Sequence, residues 1–378
     1  MKYYLIAGEA SGDLHASNLL KELKKLDSNL HCRCWGGDKM ENEGAELVKH
    51  YRDLAFMGFV EVVANLPTIL KNITFCKEDI LKYQPDVIVL VDYPGFNLRI
   101  AKWAKQHGFK VIYYISPQIW AWKENRVHAI KKCVDKMLVI LPFEKSFYEK
   151  WNYEVEYVGH PLVEVIANFQ HEVKRNNSYI QSNKPIVALL PGSRKQEIIQ
   201  KLPVMLEVSK HFKSYDFIVA KAPGMDDFFY QEILKDYPEV KSISGKTYDL
   251  LSVASAALVT SGTATLETAL FGVPEIICYK GSKISYWIAK KLVKIKYIGL
   301  VNLIMGKEVV KELIQDEFNA TNTVRELRSL LDDRNKQSQV KNDYENLKNL
   351  LSKEGNASQR AALSIFSFLQ EQKKSLQQ

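Results

Sequence analysis

The stretch Ala256-Ala-Leu-Val-Thr-Ser-Gly-Thr-Ala-Thr-Leu-Glu267 is the stretch around which this chain is organised. It begins as a short apolar run, turns at Ser261-Gly262 and continues as a helical pattern, which predicts a strand, a tight turn and a helix N-terminus. Free backbone N–H groups and the positive end of the helix dipole favour an anion at such a corner. Thr263 adds a hydroxyl, and Glu267 follows one turn later, placed to accept hydrogen bonds from a ribose. The alternative is that the threonines only cap the helix and bind no anion.

Apolar strands alternate with helical stretches on both sides of this corner. The first half of the chain carries the strands Tyr3–Ala7, Asp86–Val91, Lys110–Ile115 and Lys136–Leu141, and a new series starts at Pro185 after a polar segment, 168–184. This alternation predicts βαβ units and parallel sheets, hence an α/β fold. We expect two Rossmann-like domains, residues 1–170 and 171–350, followed by a C-terminal helix over 351–378.

Composition limits the classes of function. With 378 residues, 46% hydrophobic and 25% charged, the chain has the make-up of a soluble globular protein. The formal net charge of +8 permits attraction to phosphates or to an anionic membrane face and demands neither. Five scattered cysteines favour neither a disulfide framework nor a zinc ribbon. We expect a cytoplasmic protein without a signal peptide and without a nucleic-acid partner.

A second corner, Pro191-Gly-Ser-Arg194, follows the strand Ile186–Leu190. The Arg194 guanidinium can hold a diphosphate through two hydrogen bonds, although an ordinary surface salt bridge is the alternative for this residue. Neither corner has the Walker spacing, and the chain lacks Gly-x-Gly-x-x-Gly, which disfavours a redox dinucleotide. Two such corners in one domain suit a nucleoside diphosphate. Asp-x-Asp and metal-spaced histidine pairs are absent from the sequence, so we expect no metal and no cofactor.

Asp92 is the sharpest catalytic candidate in the first half, because it directly follows an apolar strand. In open parallel sheets ligands collect beyond the carboxyl ends of the strands, where a carboxylate can act as general base. Glu9, Asp13 and His15 lie on the neighbouring loop and helix and are the competing bases. A purely structural role for Asp92, capping the next helix or turn, stays open.

Two segments suggest a membrane surface. The stretch 57–70 is dense in apolar side chains, and Lys280 to Lys296 carries six lysines interleaved with apolar residues. A basic amphipathic stretch beside an apolar one is typical of interfacial proteins, and core-facing helices with solvated lysines are the alternative. The residues that we expect to meet a membrane surface are Val60, Val62, Val63, Leu66, Ile69 and Leu70.

Several motifs together carry a family resemblance. They include Gly8-Glu-Ala-Ser-Gly-Asp13, Gly36-Gly-Asp-Lys-Met40, Ser116-Pro-Gln-Ile-Trp-Ala-Trp122, Val158-Gly-His-Pro-Leu162, Leu189-Leu-Pro-Gly-Ser-Arg194 and Ser261-Gly-Thr-Ala-Thr-Leu-Glu267. In this order and over nearly the whole chain, the sequence resembles the lipid-A-disaccharide synthases. These are glycosyltransferases of the GT-B architecture, in which two Rossmann-like domains face each other across a cleft.

The resemblance implies a reaction and a set of residues. It implies that UDP-2,3-diacylglucosamine and 2,3-diacylglucosamine 1-phosphate are joined into the β-1,6-linked disaccharide, with release of UDP, at the inner-membrane surface. It implies that Asp92 is needed for catalysis. It also implies a UDP site formed by Arg194, Ser261, Gly262, Thr263, Glu267, Asn302 and Gln315. The chain departs from the family pattern at Gly95, where an Asp is usual, and at Val301, where a Pro is usual.

Alternatives remain in two classes. A UDP-N-acetylglucosamine epimerase or another glycosyltransferase of the same architecture would share the nucleotide corners but need no acylated acceptor. A nucleotide-sugar-binding or membrane-scaffold protein would bind UDP without turnover. For the C-terminal helix, packing on the first domain and exchange with a second chain in a homodimer are both open.

Overall fold

The computed structural model describes residues 1–54, 66–176, 180, 182–223, 225–282, 286 and 295–377. The contacts divide the chain into two compact units, the first containing Met1–Pro161 and Ser352–Gln378 and the second Leu162–Leu351. Each unit is built on a parallel sheet. The predicted α/β architecture with two parallel-sheet domains is confirmed.

The first unit is organised by a seven-stranded sheet in the order β3-β2-β1-β4-β5-β6-β7, with every pair parallel. All five residues of β4 are fully buried, as expected for a strand covered by helices on both faces. Its strands are β1 Lys2–Ala7, β2 His31–Gly36, β3 Glu46–His50, β4 Val87–Val91, β5 Val111–Tyr114, β6 Lys136–Val139 and β7 Glu156–Tyr157. Its helices before the crossover are α1 Ala10–Leu26, α2 Asp38–Asn42, α3 Leu66–Tyr83, α4 Pro94–Gln106, α5 Ile119–Trp122, α6 Val127–Cys133 and α7 Pro142–Glu149.

The second unit has a six-stranded parallel sheet in the order β10-β9-β8-β11-β12-β13. Its strands are β8 Ile186–Leu190, β9 Asp216–Lys221, β10 Lys241–Ser244, β11 Ala254–Thr260, β12 Glu275–Tyr279 and β13 Lys311–Ile314. Its helices are α8 Pro161–Asn176, α9 Lys195–Ser209, α10 Asp227–Leu234, α11 Thr247–Val253, α12 Thr263–Leu270, α13 Leu300–Met305, α14 Ala320–Asp332 and α15 Arg334–Ser352.

The boundary between the units differs from the sequence expectation. The polar segment 168–184 suggested a linker with a domain boundary at residue 170, but α8 continues through Asn176. Leu162 and Ile166 on this helix are buried in the core of the second unit. The helix therefore belongs to the second unit from its first turn, because its apolar side is buried in that unit although its last turns are polar.

The C-terminal helix α16, Ala357–Gln377, returns to the first unit and packs against α1. Ala361, Ala362 and Ile365 are completely buried there. The hydroxyl of Ser364 donates to a carboxylate oxygen of Glu156 at 2.5 Å, which ties the helix to the last strand of the sheet. Exchange of this helix with a second chain, the alternative arrangement, stays a prediction.

We predict that Ile365→Ala lowers the free energy of unfolding of the first unit by roughly 2–5 kcal/mol, because a fully buried side chain leaves a cavity. Leu363→Ala is the matched control: Leu363 is 44% exposed on the same helix and its loss changes stability by less than about 0.5 kcal/mol. Urea unfolding followed by tryptophan fluorescence measures both, since the first unit contains Trp35, Trp103, Trp120, Trp122 and Trp151. Equal losses for both variants would contradict the packing of α16 on α1.

Candidate active site

The turn that joins β4 to α4 has an unusual backbone. Asp92 and Tyr93 have φ values of 45° and 48°, in the left-handed region that residues with a side chain rarely adopt. Two such residues in sequence cost about 1–3 kcal/mol each, and such strain persists only where the surroundings enforce it. Here the Asp92 carbonyl accepts hydrogen bonds from the Tyr113 hydroxyl at 2.6 Å and the Asn97 side-chain amide at 2.7 Å. These two buried donors hold the turn in place.

The Tyr93 ring fixes this turn against the loop after β1. A Cβ atom placed on Gly8 would lie 2.3 Å from the Tyr93 ring, so the ring packs directly on the glycine backbone. Since β1 and β4 are neighbours in the sheet, the loops after them meet at its carboxyl edge. Glu9 and Asp92 consequently lie close enough for their charges to interact.

The protonation of Asp92 follows from this placement. Burial is the largest cause that raises its pKa, to about 7, and the negative charge of Glu9 adds to it, while a hydrogen bond from the Tyr93 N–H acts in the opposite direction. A carboxylate with a pKa near neutrality is still largely ionised above pH 7 and accepts a proton far more readily than an ordinary aspartate. Asp92 therefore has the properties of a general base.

His15 and Asp13, the competing candidates for the base, have other properties in the structure. Burial lowers the pKa of the His15 imidazole to about 4, so at neutral pH it is an uncharged and weak proton acceptor. Its Nδ1 is buried and has no hydrogen-bond partner among the described residues. The Asp13 carboxylate accepts hydrogen bonds from the backbone N–H groups of Gly37, Lys39 and Met40 and so caps α2. Asp13 has a structural role, and Asp92 with Glu9 beside it stays the predicted base.

A buried polar network lies beyond β5 and β6 at the same sheet edge. The Glu144 carboxylate accepts from the Trp120 indole at 3.3 Å and from the Leu141 N–H at 2.9 Å. Burial raises its pKa to about 7, although these hydrogen bonds oppose the shift. The Ser116 and Tyr148 hydroxyls share a hydrogen bond of 2.7 Å in the same place. The network braces the loop that follows β5.

In the second unit, the β11–α12 corner has the predicted form. Gly262 has a φ of 154°, and a Cβ atom there would meet nothing within 4 Å, so the corner is open to a ligand. Thr263 is exposed as the first residue of α12. Two hydroxyls are already engaged: Ser261 donates to the Ile298 carbonyl at 3.1 Å, and Thr265 donates to the Gly262 carbonyl at 2.8 Å. Among the described residues, no hydrogen bond occupies the Thr263 hydroxyl, which can therefore donate to a ligand at this corner.

The β8–α9 corner carries its own carboxylate. Glu197 accepts the Ser193 N–H at 3.2 Å and forms an ion pair of 3.7 Å with Arg194. A Cβ atom on Gly192, whose φ is 118°, would lie 2.5 Å from this carboxylate. The Arg194 side chain is 56% exposed and can turn toward a ligand. Both readings of Arg194 therefore stand: it forms a salt bridge, and it does so at a helix N-terminus suited to an anion.

The remaining residues predicted to contact the nucleotide already form hydrogen bonds within the protein. Glu267 accepts the Tyr248 hydroxyl at 2.7 Å, and burial raises its pKa. Gln315 accepts the Gly281 N–H at 3.0 Å and so holds the loop after β12. The Asn302 amide donates to Val310 and Glu312 and accepts the N–H groups of the turn before β13. Every polar position of the Asn302 side chain is occupied, so its contribution to a ligand site comes through the loop that it holds.

Lys201 is a residue that the sequence reasoning missed. It lies on α9, two turns after Arg194, and only 2% of it is exposed. Burial lowers its pKa, and among the described residues no hydrogen bond or salt bridge reaches its ammonium, which lies 5.9 Å from the Tyr279 ring centroid. The available signal was a lysine at a core-facing position of α9, the helix that starts at the Pro191–Arg194 corner. Lys201 adds a positive charge behind that corner.

The predicted membrane residues are described only in part. Val60, Val62 and Val63 lie outside the described residues, and of Leu66 only the backbone within α3 is described. Ile69 is half-buried, and Leu70 is 50% exposed. Most of Lys280 to Lys296 also lies outside the described part. Among the described helices, none is long and apolar enough to cross a membrane.

Comparison with known proteins settles the family. The sequence matches the family model described as Lipid-A-disaccharide synthetase over residues 3–366. A protein of Syntrophus aciditrophicus (strain SB) named lipid-A-disaccharide synthase is 37% identical over 368 residues, which make up 96% of this chain and 96% of that protein. The chain belongs to the lipid-A-disaccharide synthetase family. It is a glycosyltransferase enzyme of lipid A biosynthesis.

Two solved structures have the same fold but a much lower sequence identity to this chain. UDP-GlcNAc 2-epimerase from Neisseria meningitidis, bound to UDP-GlcNAc, superposes with a TM-score of 0.70 at 12% identity, covering 97% of this chain and 100% of that chain. The glycotransferase of kitacinnamycin superposes with a TM-score of 0.68 at 13% identity, covering 97% of this chain and 99% of that chain. These likenesses concern the fold, which is the predicted GT-B type of glycosyltransferases and epimerases.

We predict that Gly8→Ala lowers turnover at least tenfold, because the new methyl group displaces the Tyr93 ring and with it the Asp92 turn; overpacking of this kind also destabilises by roughly 1–3 kcal/mol. Gly95→Ala is the control on the same turn, since a Cβ atom there meets nothing within 4 Å. Turnover and melting temperature of both variants are measured side by side. Full activity of Gly8→Ala would show that the Tyr93 contact does not position Asp92.

Proposed function

We propose that the chain transfers the 2,3-diacylglucosaminyl group of UDP-2,3-diacylglucosamine to the 6-hydroxyl of 2,3-diacylglucosamine 1-phosphate. The bond from the acceptor oxygen to the anomeric carbon forms, the bond from that carbon to the diphosphate breaks, and the hydroxyl proton passes to Asp92. Attack from the face opposite the diphosphate inverts the anomeric carbon. The observation that carries the proposal is the Asp92 carboxyl at the sheet edge of the first unit, with its pKa raised to about 7 by burial and by Glu9.

The first unit supplies the base. The backbone at Asp92 is held by hydrogen bonds from Asn97 and Tyr113 to its carbonyl, and the Tyr93 N–H donates to its carboxylate. A general base positioned in this way accelerates proton removal by about 10²–10⁴. Glu9 keeps the pKa of Asp92 high and thereby makes it a stronger base.

The second unit supplies the donor site. The departing diphosphate develops charge, and fixed donors aimed at that charge lower the barrier. Thr263 with the N–H groups of the α12 terminus and the Arg194 guanidinium are those donors, and Lys201 adds a positive charge behind them. Binding of the diphosphate to Arg194 requires the guanidinium to leave Glu197. This arrangement needs no metal, and we propose that the reaction is metal-independent.

An acylated substrate also requires an approach surface. Leu70 and Leu81 are both exposed on α3, about three turns apart and so on one face of the helix. We propose that this face and the preceding segment meet the inner membrane, where each acyl CH₂ buried is worth about 0.8 kcal/mol. The first unit would then take its acceptor directly from the membrane face.

The test of the reaction is UDP release by purified protein in nonionic detergent, given UDP-2,3-diacylglucosamine with and without 2,3-diacylglucosamine 1-phosphate. We expect UDP release only when both are present, together with a disaccharide 1-phosphate, and unchanged rates in the presence of EDTA. Release without the acceptor would point instead to hydrolysis or epimerisation. No release with either mixture would overturn the substrate assignment.

We predict that kcat/KM rises with pH through about 7, because Asp92 acts only when it is deprotonated. This rise is the acidic limb of the pH profile. Asp92→Asn lowers turnover by roughly 10²–10⁴ and abolishes this limb. Glu9→Gln removes the nearby negative charge and so lowers the pKa of Asp92, which moves the limb to lower pH. Glu22→Gln, the same change of charge at the other end of α1, leaves the limb in place. A limb that survives in Asp92→Asn would assign the base to another residue.

A further inference from the structure

Two tryptophans follow β5, and they differ in their exposure to solvent. Trp120 is buried, and its indole N–H donates to Glu144 at 3.3 Å. Trp122 ends α5 with 47% of its surface exposed. A 3-10 turn, Glu124–Arg126, follows at once and leads into α6. Trp120 is therefore part of the core, whereas Trp122 is exposed to solvent.

Two cations lie over the exposed ring. The Lys123 ammonium is 4.1 Å from the centroid of the Trp122 ring, and the Arg126 guanidinium carbon is 5.6 Å from it. Both side chains are half-buried. Among the described residues no carboxylate forms a salt bridge with either of them. Contact with the ring attracts each cation, but it does not neutralise their charges or their mutual repulsion.

The electrostatics at this place favour an anion. The pKa of Lys123 is lowered, first by burial and then by the positive charge of Arg126. An anion between the two groups would remove the repulsion. A phosphate monoester suits the geometry, because it carries a charge between about −1.5 and −2 at neutral pH, and its oxygens match the guanidinium fork while also accepting from an ammonium.

The location connects this cluster with the reaction. β5 is the hydrogen-bonded neighbour of β4, with Tyr114 paired to Val91, so the loop after β5 leaves the sheet at the same edge as Asp92. The Tyr113 hydroxyl on β5 itself holds the Asp92 carbonyl. A ligand group bound at Trp122, Lys123 and Arg126 is thus carried by the same unit and the same sheet edge as the base.

We propose that Trp122, Lys123 and Arg126 form a subsite for a phosphate monoester, namely the anomeric phosphate of the acceptor sugar. The inference rests on the proposed function and adds to it the residues that select a phosphorylated acceptor. The subsite binds the phosphate through the two cations, which Trp122 holds in place through their contacts with its ring. The headgroup of phosphatidic acid is also a phosphate monoester and is the other source of such a group.

The test compares wild type with a Lys123→Gln/Arg126→Gln double variant on two acceptors, 2,3-diacylglucosamine 1-phosphate and its dephosphorylated analogue, in nonionic detergent. In the double variant kcat/KM for the phosphorylated acceptor falls at least tenfold, the scale of one lost charge-assisted hydrogen bond. The value for the analogue and KM for the UDP-sugar stay unchanged. Lys132→Gln, an exposed lysine on the adjacent helix α6, is the control and behaves as wild type.

The other outcomes overturn the assignment. An equal fall for both acceptors would mean that the cluster supports the fold or the chemistry and not the phosphate. Unchanged kinetics, with weaker binding of the double variant to vesicles that contain phosphatidic acid, would assign the cluster to membrane headgroups.

Failure of the proposed function is distinguished by direct binding. If wild type uses neither acceptor, titration with soluble glucosamine 1-phosphate, followed by Trp fluorescence, still tests the subsite. Saturable binding that is lost in the double variant and kept in Lys132→Gln supports it. Equal binding or no binding by wild type and double variant contradicts it. Melting temperatures confirm that the variants are folded.

Discussion

The chemistry of the first unit depends on one strained turn. Asp92 and Tyr93 leave β4 in left-handed conformations, and the turn persists because Asn97 and Tyr113 bind its carbonyl while Tyr93 packs on Gly8. The same packing brings the loop with Glu9 alongside the carboxyl. Burial and a like charge then raise the pKa of Asp92 toward neutrality. Backbone strain, loop packing and proton affinity are therefore consequences of a single arrangement at the junction of two neighbouring parallel strands.

The second unit uses a different device. Its two strand–helix corners offer backbone donors, and the buried Asn302–Glu312 pair holds the turns beside them: the Glu312 carboxylate accepts the N–H groups of Ile298 and Gly299. Ser261 in turn donates to the Ile298 carbonyl, so the β11–α12 corner is fixed by the same loop. Glu197 fills the β8–α9 corner with the protein's own carboxylate. A diphosphate entering this corner would replace one anion by another, which keeps the Arg194 side chain close to its place of action.

The sequence predicts the sheets and the corners well, because buried parallel strands give continuous apolar runs and glycine marks the turns after them. It places Asp92, Glu9, Ser261 and Arg194 at strand ends for the same reason. It does not show that Asn302 is saturated by Glu312 and the turn before β13, since those partners meet only in the folded unit. The burial of Lys201 and the opposite exposure of Trp120 and Trp122 are likewise properties of packing. The predicted boundary at residue 170 differs from the division at Pro161 and Leu162, because the polar composition of the last turns of α8 conceals its apolar side.

The most direct measurement of the claim that Asp92 is poised as a base is its own titration. Protein labelled with ¹³C at the aspartate carboxyl is followed by NMR as the pH changes, and the Asp92 signal is assigned by its absence from Asp92→Asn. A carboxyl signal that titrates near pH 7 is the predicted result. An Asp92 signal that titrates near pH 4, as an ordinary solvated aspartate does, would contradict both the burial of the carboxyl and its role as base.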